Sequence, residues 1–328
     1  TAMFGGSDDA LLDAIAFCNS VVARTLLGAI SPTLNYESGQ IATLPVLIDD
    51  TGRVREIARE LVAIARDDWN RRETSWDFTT LDLLAEGPTS KSLSESLRAL
   101  DASDRELTSR AQHLEEENNR LLAEAYGVLD DADVRVVPAR VSLFANRTFM
   151  FGVGKSETEY DRLSRARQVA DLVSFAVGCM FGRYSLDEPG LILADQGATL
   201  QDYLAKVPSP TFTPDADNVI PIVDGDWFED DIVERFRQFL RAAFGEQHFE
   251  ENLRFVIKSL SVKNLRDYFV KSFSEDHIHR YKKRPIYWLF SSPKGSFNAL
   301  IYMHRYTPST VSTVLTYLRE YVTKLESA

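Results

Sequence analysis

The thirty residues His277–Tyr306, HIHRYKKRPIYWLFSSPKGSFNALIYMHRY, hold Arg280, Lys282, Lys283, Arg284, Lys294 and Arg305 and no Asp or Glu. The whole chain carries 49 acids against 37 bases, so this stretch is a local exception and not a drift of composition. Held rigidly and left without anions, such cations neutralise phosphates along a nucleic acid. The interleaved Tyr281, Tyr287, Trp288, Tyr302 and Tyr306 read as alternately core and exposed. Asn35-Tyr36 reads as a turn pair, since Asn35 suits left-handed backbone.

Other patterns are weaker. Gly154-Lys155-Ser156 ends like a phosphate loop, but the required glycine five residues before Gly154 is Phe149, and Glu157 and Glu159 would sit at its mouth. His277-x-His279 would share a face only on a strand, and no Cys or acid at ligand spacing completes a metal set. Cys18 and Cys179 both lie in apolar helical contexts and read as buried thiols of a reducing cytoplasm. No apolar run approaches the roughly 20 residues of a membrane span. A net charge of −12 excludes wrapping nucleic acid over the whole surface. The acids are grouped, eleven within 215–251 and ten within 95–131, so nucleic-acid contact must be local, or these faces serve a protein partner.

The elements that position these residues are mostly helices. The basic stretch itself reads as a β-hairpin, with runs Ile286–Phe290 and Phe297–Met303 around the turn residues Ser291–Ser296. A short strand is expected over Asp217–Val223, and strand with irregular parts over Val134–Phe151. Ala10–Ile30 reads as one helix and Ile41–Val46 as an extended segment. Helices are expected over Arg53–Asn70, Tyr160–Phe181, Trp227–Phe244, Glu250–Leu260, Val262–Phe273 and Ser309–Leu325. Leu93, Leu100, Leu107, Leu114, Leu121 and Val128 lie seven apart, with Leu97, Asp104, Ala111, Asn118 and Ala125 between them. This heptad seam predicts a helix from about Lys91 to Leu129. No basic region precedes it, which favours packing against Arg53–Asn70 within one chain over pairing between chains.

Three passages carry a resemblance. The basic hairpin, Val177–Leu191 (VGCMFGRYSLDEPGL) and Ile30–Val46 (ISPTLNYESGQIATLPV) are similar, in the same order, to the C-terminal region of the PglX family. Those are the adenine-specific DNA methyltransferases of bacterial BREX phage-defence systems, close in layout to type IIG restriction-modification enzymes. The resemblance implies a fragment without the methyltransferase domain. The residues agree: there is no glycine-rich loop for S-adenosylmethionine and no Asn-Pro-Pro-Tyr-type tetrapeptide to grip a flipped adenine, and Pro–Pro does not occur. Thr1-Ala2-Met3 resembles a cloning scar and is set aside from fold reasoning.

The resulting expectation is a mainly α-helical α+β chain in three parts. The resemblance implies that residues 1–50 close the target-recognition region, with Asn35-Tyr36 a candidate DNA contact there; 51–131 would form a helical spacer hairpin, and 132–328 would be a C-terminal helical domain with a small β-hairpin. Its role would be to clamp duplex DNA for a parent enzyme that uses S-adenosylmethionine. The chain itself would hold no catalytic residue, cofactor or metal and would be a cytoplasmic monomer. The alternative is an interaction module for other BREX proteins, or the target of a phage inhibitor that mimics DNA. Arg183 is expected to be structural, paired with Asp187 or Glu188.

Overall fold

A computed structural model of the protein describes residues 6–31, 36–47 and 52–328. The architecture is mainly helical α+β with one small antiparallel sheet. The chain forms two interleaved compact units, Thr1–Trp69 with Asp101–Ser156 and Asn70–Leu100 with Glu157–Ala328. No single helix among the described residues is long and apolar enough to cross a membrane.

In the first unit the expected helix over Ala10–Ile30 is two helices, α1 (Asp8–Cys18) and α2 (Val21–Ile30), bent by 69°. Ser20 breaks it. Its hydroxyl accepts from the Ala23 N–H and donates to the Phe17 carbonyl, capping α2 inside an apolar run, while Asn119 Oδ1 takes the Val21 N–H at 2.8 Å. The segment expected to be extended begins as a short helix, α3 (Ser38–Ala42), closed by a Glu37–Gln40 capping box. Cys18 is half-buried where a buried thiol was expected; Cys179, in the second unit, is buried.

The next two helices, α4 (Arg53–Asn70) and α5 (Leu93–Ala125), fall close to their expected spans. The pairs Arg53–Glu117 (2.9 Å) and Arg110–Glu60 (2.7 Å) run in opposite chain directions, so the two helices are antiparallel neighbours within one chain. Val54 and Ala58 pack with Leu122 and Ala123, and Leu61 and Ile64 with Leu107 and Ala111. The expected strand over Val134–Phe151 does not form. Its backbone is strapped to side chains of α5: Gln112 and Asn119 donate to the Val136 and Val134 carbonyls, and Glu116 accepts from the Val136 N–H. The chain then turns into α6 (Arg147–Phe151), capped by Asn146. Alternation was present in the sequence, but no neighbouring strand was there to complete a ladder.

In the second unit α7 (Glu157–Met180) is the central element and is buried almost continuously from Gln168 onward. Gly178 is needed there, because a Cβ would run into the Tyr184 ring. Gly182, at φ +74°, turns the chain out of the helix and has Leu193, Pro214 and Tyr203 against it. After α8 (Leu200–Lys206) come β1 (Ile220–Val223), α9 (Ile232–Phe244), α10 (Phe249–Leu260), α11 (Leu265–Lys271) and α12 (Phe273–Arg280). The hairpin β2 (Tyr287–Ser291) and β3 (Phe297–Tyr302) follows, and α13 (Thr310–Ser327) closes the chain. The hairpin lies where the sequence places it. Less legible was the pairing of β1 with β3, which gives the order β1-β3-β2. Asn218 aligns that pairing by bonding both the N–H and the carbonyl of Tyr302. One sheet face, with Ile220, Ile222, Tyr287, Leu300 and Tyr302, joins the core around α7 and α9. The other, with Val223, Phe297, Ala299 and Ile301, packs on Val314 and Tyr321 of α13.

His277 ties α12 to the hairpin. It is buried among Phe273, Tyr281 and Tyr287, and its Nε2 accepts from the Ile286 and Tyr287 N–H groups at 3.1 Å each. An acceptor must be neutral. Burial, with Arg280 and Arg183 nearby, lowers its pKa to about 3.

Two outcomes are expected. Leu114, fully buried on α5, should cost about 2–5 kcal/mol when cut to Ala. Sedimentation should show a monomer before and after; a dimer that dissociates in the mutant would mean the seam pairs between chains. The second concerns pH. The folded His277 pKa lies below the unfolded value of about 6.5, so the unfolded chain binds the extra proton between the two. Its contribution is complete above about pH 6.5 and is lost at about 1.4 kcal/mol per pH unit as pH falls toward 3. Glu115, raised by burial to about 7, runs in the opposite sense as pH rises from its unfolded value, so wild type must be compared with a variant. Unfolding curves of His277→Gln should lack one proton's worth of slope between pH 6.5 and 3; identical slopes would rule out a neutral His277.

Candidate nucleic-acid interface

The cations of the basic stretch separate into three environments. Lys282, Lys283 and Arg284 form the turn between α12 and β2, and all three are exposed. The turn is closed by backbone bonds from Lys282 N to His279 O, Lys283 N to Ile278 O and Arg284 N to Tyr281 O. Lys282 and Lys283 sit at φ +51° and +65°. Two successive lysines in the left-handed region are costly, roughly 1–2 kcal/mol each, and persist only where the surroundings fix them.

Those surroundings lie directly beneath the turn. Buried Glu73 accepts from the Tyr281 hydroxyl at 2.8 Å and from Ser174 of α7 at 2.5 Å. Burial and the Glu73 carboxylate hold the proton on Tyr281 far above the ordinary phenol range. Arg280 pairs with Asp171 of α7; burial opposes the arginine's charge, and the Asp171 and Glu73 carboxylates together outweigh it. The last residues of α12 are thus bolted to α7, and the next three point their charges outward. No ion pair joins Lys282, Lys283 or Arg284 to a described residue.

Arg280 therefore does not stand free of anions, as the sequence suggested; its acid comes from 109 positions away. Arg305 is likewise corrected. It is 5% exposed, and its guanidinium donates to the carbonyls of Phe181, Asp215 and Ala216, which holds the loop before β1 against the end of α7. Both arginines build the fold and present no free charge. Lys294 is exposed at the hairpin tip, in a turn where Gly295 takes φ +69° and donates to the Ser292 carbonyl. It lies ten positions beyond Arg284 along mostly extended chain, up to about 30 Å, so it is not part of the same cluster. Asn35 lies outside the described residues; Tyr36, in the first unit, is exposed.

Arg183 is structural, but its partners are not acids. Its guanidinium donates to the Tyr184 hydroxyl at 3.1 Å and the Tyr302 hydroxyl at 2.9 Å and lies against both rings. Asp187 is occupied by Ser185 and Thr211. His277 and His279, on α12, point to different faces, one buried and one exposed. Among the described residues of the second unit two aromatic side chains stand out in solvent: Trp288 on β2, 48% exposed, and Trp76, 99% exposed on the turn that also carries Glu73. Alternation in β2 foreshadowed Trp288; nothing foreshadowed Trp76 or the roles of Glu73 and Asp171.

A different face is strongly acidic. A groove of about 1240 Å³ is lined by Asp217, Asp226, Glu229, Asp230, Glu234 and Glu320, among others, with Arg237 and Lys324 as its cations. A polyanion is repelled from that groove.

No protein-family profile matches the chain. It is 32% identical to "Adenine-specific methyltransferase BrxX" of Escherichia coli O9:H4 (strain HS) over 99% of this chain and 28% of the relative. It is also 32% identical to "Adenine-specific methyltransferase PglX" of Lacticaseibacillus casei (strain Zhang), over 95% of this chain and 25% of the relative. The chain therefore spans about a quarter of the length of the curated relatives it matches. The passages that carried the resemblance also have physical roles here: Gly178, Gly182 and Arg183 shape the packing of Tyr184 on α7 and of Tyr302 on β3. By its similarity along nearly all of its own length, the chain belongs to the PglX family of adenine-specific methyltransferases, of which it carries one segment.

Proposed function

We propose that this segment is the C-terminal, DNA-clamping region of a BREX-type N6-adenine DNA methyltransferase that acts in the cytoplasm. In that reading the parent enzyme binds S-adenosylmethionine and transfers its methyl group elsewhere in its chain. The segment presented here holds the duplex backbone. The observation that carries the reading is the α12–β2 turn: three adjacent exposed cations, unpaired among the described residues and fixed from below by Glu73 and Asp171. Flexible surface lysines lose rotamer freedom on binding, and a fixed backbone reduces the ordering still required. Such contacts position DNA without reading its bases. Trp288 and Trp76 add flat apolar faces suited to sugar or base contact.

The acidic groove supports a second reading, in which the segment docks a basic partner protein of the same defence system. A phage inhibitor that mimics DNA would instead compete for the basic turn.

Replacing Lys282 and Lys283 with Asn, which tolerates left-handed backbone, and Arg284 with Gln should weaken duplex binding almost equally for all sequences. If all three touch phosphate, the log–log salt slope should flatten by about 2.7, at roughly 0.9 per contact. Unchanged affinity and slope would remove the DNA role of the turn.

A further inference from the structure

The closing helix α13 has two unlike flanks. It follows β3 closely and runs back along it, since the ring of Tyr321 near its end lies 5.9 Å from that of Phe297 at the start of β3. One flank is held toward the loop after β1: Tyr317 donates to Asp230, and Lys324 donates to the Trp227 carbonyl at 2.6 Å over the Phe228 ring. That is the side of the acidic groove. The opposite flank must face the β2 side of the sheet. There Leu318 and Phe290 join the same partly buried cluster, and no described residue covers what lies beyond them.

Beyond Leu318 the helix exposes Val311, Leu315, Val322 and Leu325, each 41–49% accessible. With Leu318 their spacing is four, three, four, three, which places all five on one stripe of the helix. The sheet register puts Trp288, paired with Ile301, on the face that α13 packs against, at the uncovered edge strand. The stripe and Trp288 thus form an apolar shelf about 21 Å long. Its surrounding charges are mainly positive: Arg319 beside the stripe, Arg284 before β2 and Lys294 at the hairpin tip, none with an ion-pair partner among the described residues, against Glu326 at the helix end.

We propose that this shelf is a docking site for a partner protein that presents an acidic amphipathic helix. The heptad spacing accepts the knobs of another helix and not the 2-residue repeat of a strand. The cationic surround selects Glu or Asp on the flanks of that helix. A second copy of this chain would set one cationic surround against another. DNA would leave the aliphatic stripe without apolar contact, so the stripe is a different site from the phosphate-binding turn, although Arg284 borders both.

The probe is a labelled synthetic helix of about three heptads with Leu at a and d and Glu at e and g. Its control keeps the same leucines and has Lys at e and g. The full 328-residue chain should bind the acidic peptide at least tenfold more tightly than the basic one. Leu315→Glu should weaken binding tenfold or more with an unchanged circular dichroism spectrum and unchanged affinity for DNA. Arg319→Glu should narrow the preference between the peptides. Equal binding of both peptides, no binding of the acidic peptide, or a Leu315→Glu variant that binds as wild type would overturn the proposal. So would self-association of the wild type that Leu315→Glu abolishes, which would assign the shelf to a second copy.

Discussion

The second unit depends on one buried carboxylate. Among the described residues no cation is hydrogen-bonded to Glu73; it accepts from the hydroxyls of Tyr281 and Ser174, which belong to segments 208 and 101 residues away. Removing a carboxylate from water is costly, and hydrogen bonds to the charged form offset that cost only if their geometry is fixed. The geometry is fixed by packing: Tyr281 lies against His277, which lies against Tyr287 and Phe273. The left-handed lysines that follow are a consequence. Once Tyr281 is anchored and Ile286 and Tyr287 are bonded to His277, the few residues between them have little choice of path.

The same constraint explains how an acidic protein keeps a usable cationic point. Most arginines here are already engaged. Arg280 is paired with Asp171, Arg266 with Asp231 and Asp226, and Arg305 is spent on three carbonyls. Among the described residues, the free cations around the hairpin are on the α12–β2 turn, the hairpin tip and the outer flank of α13. The acids are concentrated on the opposite flank of that helix. Charge separation on this scale steers a polyanion to one side of the unit, and more strongly at low salt.

Much of the architecture was legible because local signals agreed with the final packing. The heptad seam gave α5, and the turn residues Ser292-Pro293-Lys294-Gly295 gave the hairpin. The misses have specific causes. The apolar run over Ala10–Ile30 masked Ser20, whose capping role depends on Asn119 holding the neighbouring N–H. The alternation after Val134 was taken for a strand because nothing local shows that the partner is the side of a helix. For the six cations of the basic stretch, local sequence does not show which would be consumed by the fold. Asp171, which neutralises Arg280, and the carbonyls that bind Arg305 are brought in only by tertiary folding. The resemblance located the Gly178–Tyr184 passage as a signature; its physical content is a close approach of a ring to a helix backbone.

Lysine footprinting on a duplex tests the central claim most directly. The chain is acetylated with and without DNA, and each lysine's modification is read by mass spectrometry. Lys258 and Lys263 serve as internal references, since both are exposed and lie away from the turn in sequence. The expected result is that DNA shields Lys282 and Lys283 while Lys258 and Lys263 react as before. Shielding of the reference lysines alone, or none at all under conditions where DNA is bound, would contradict it.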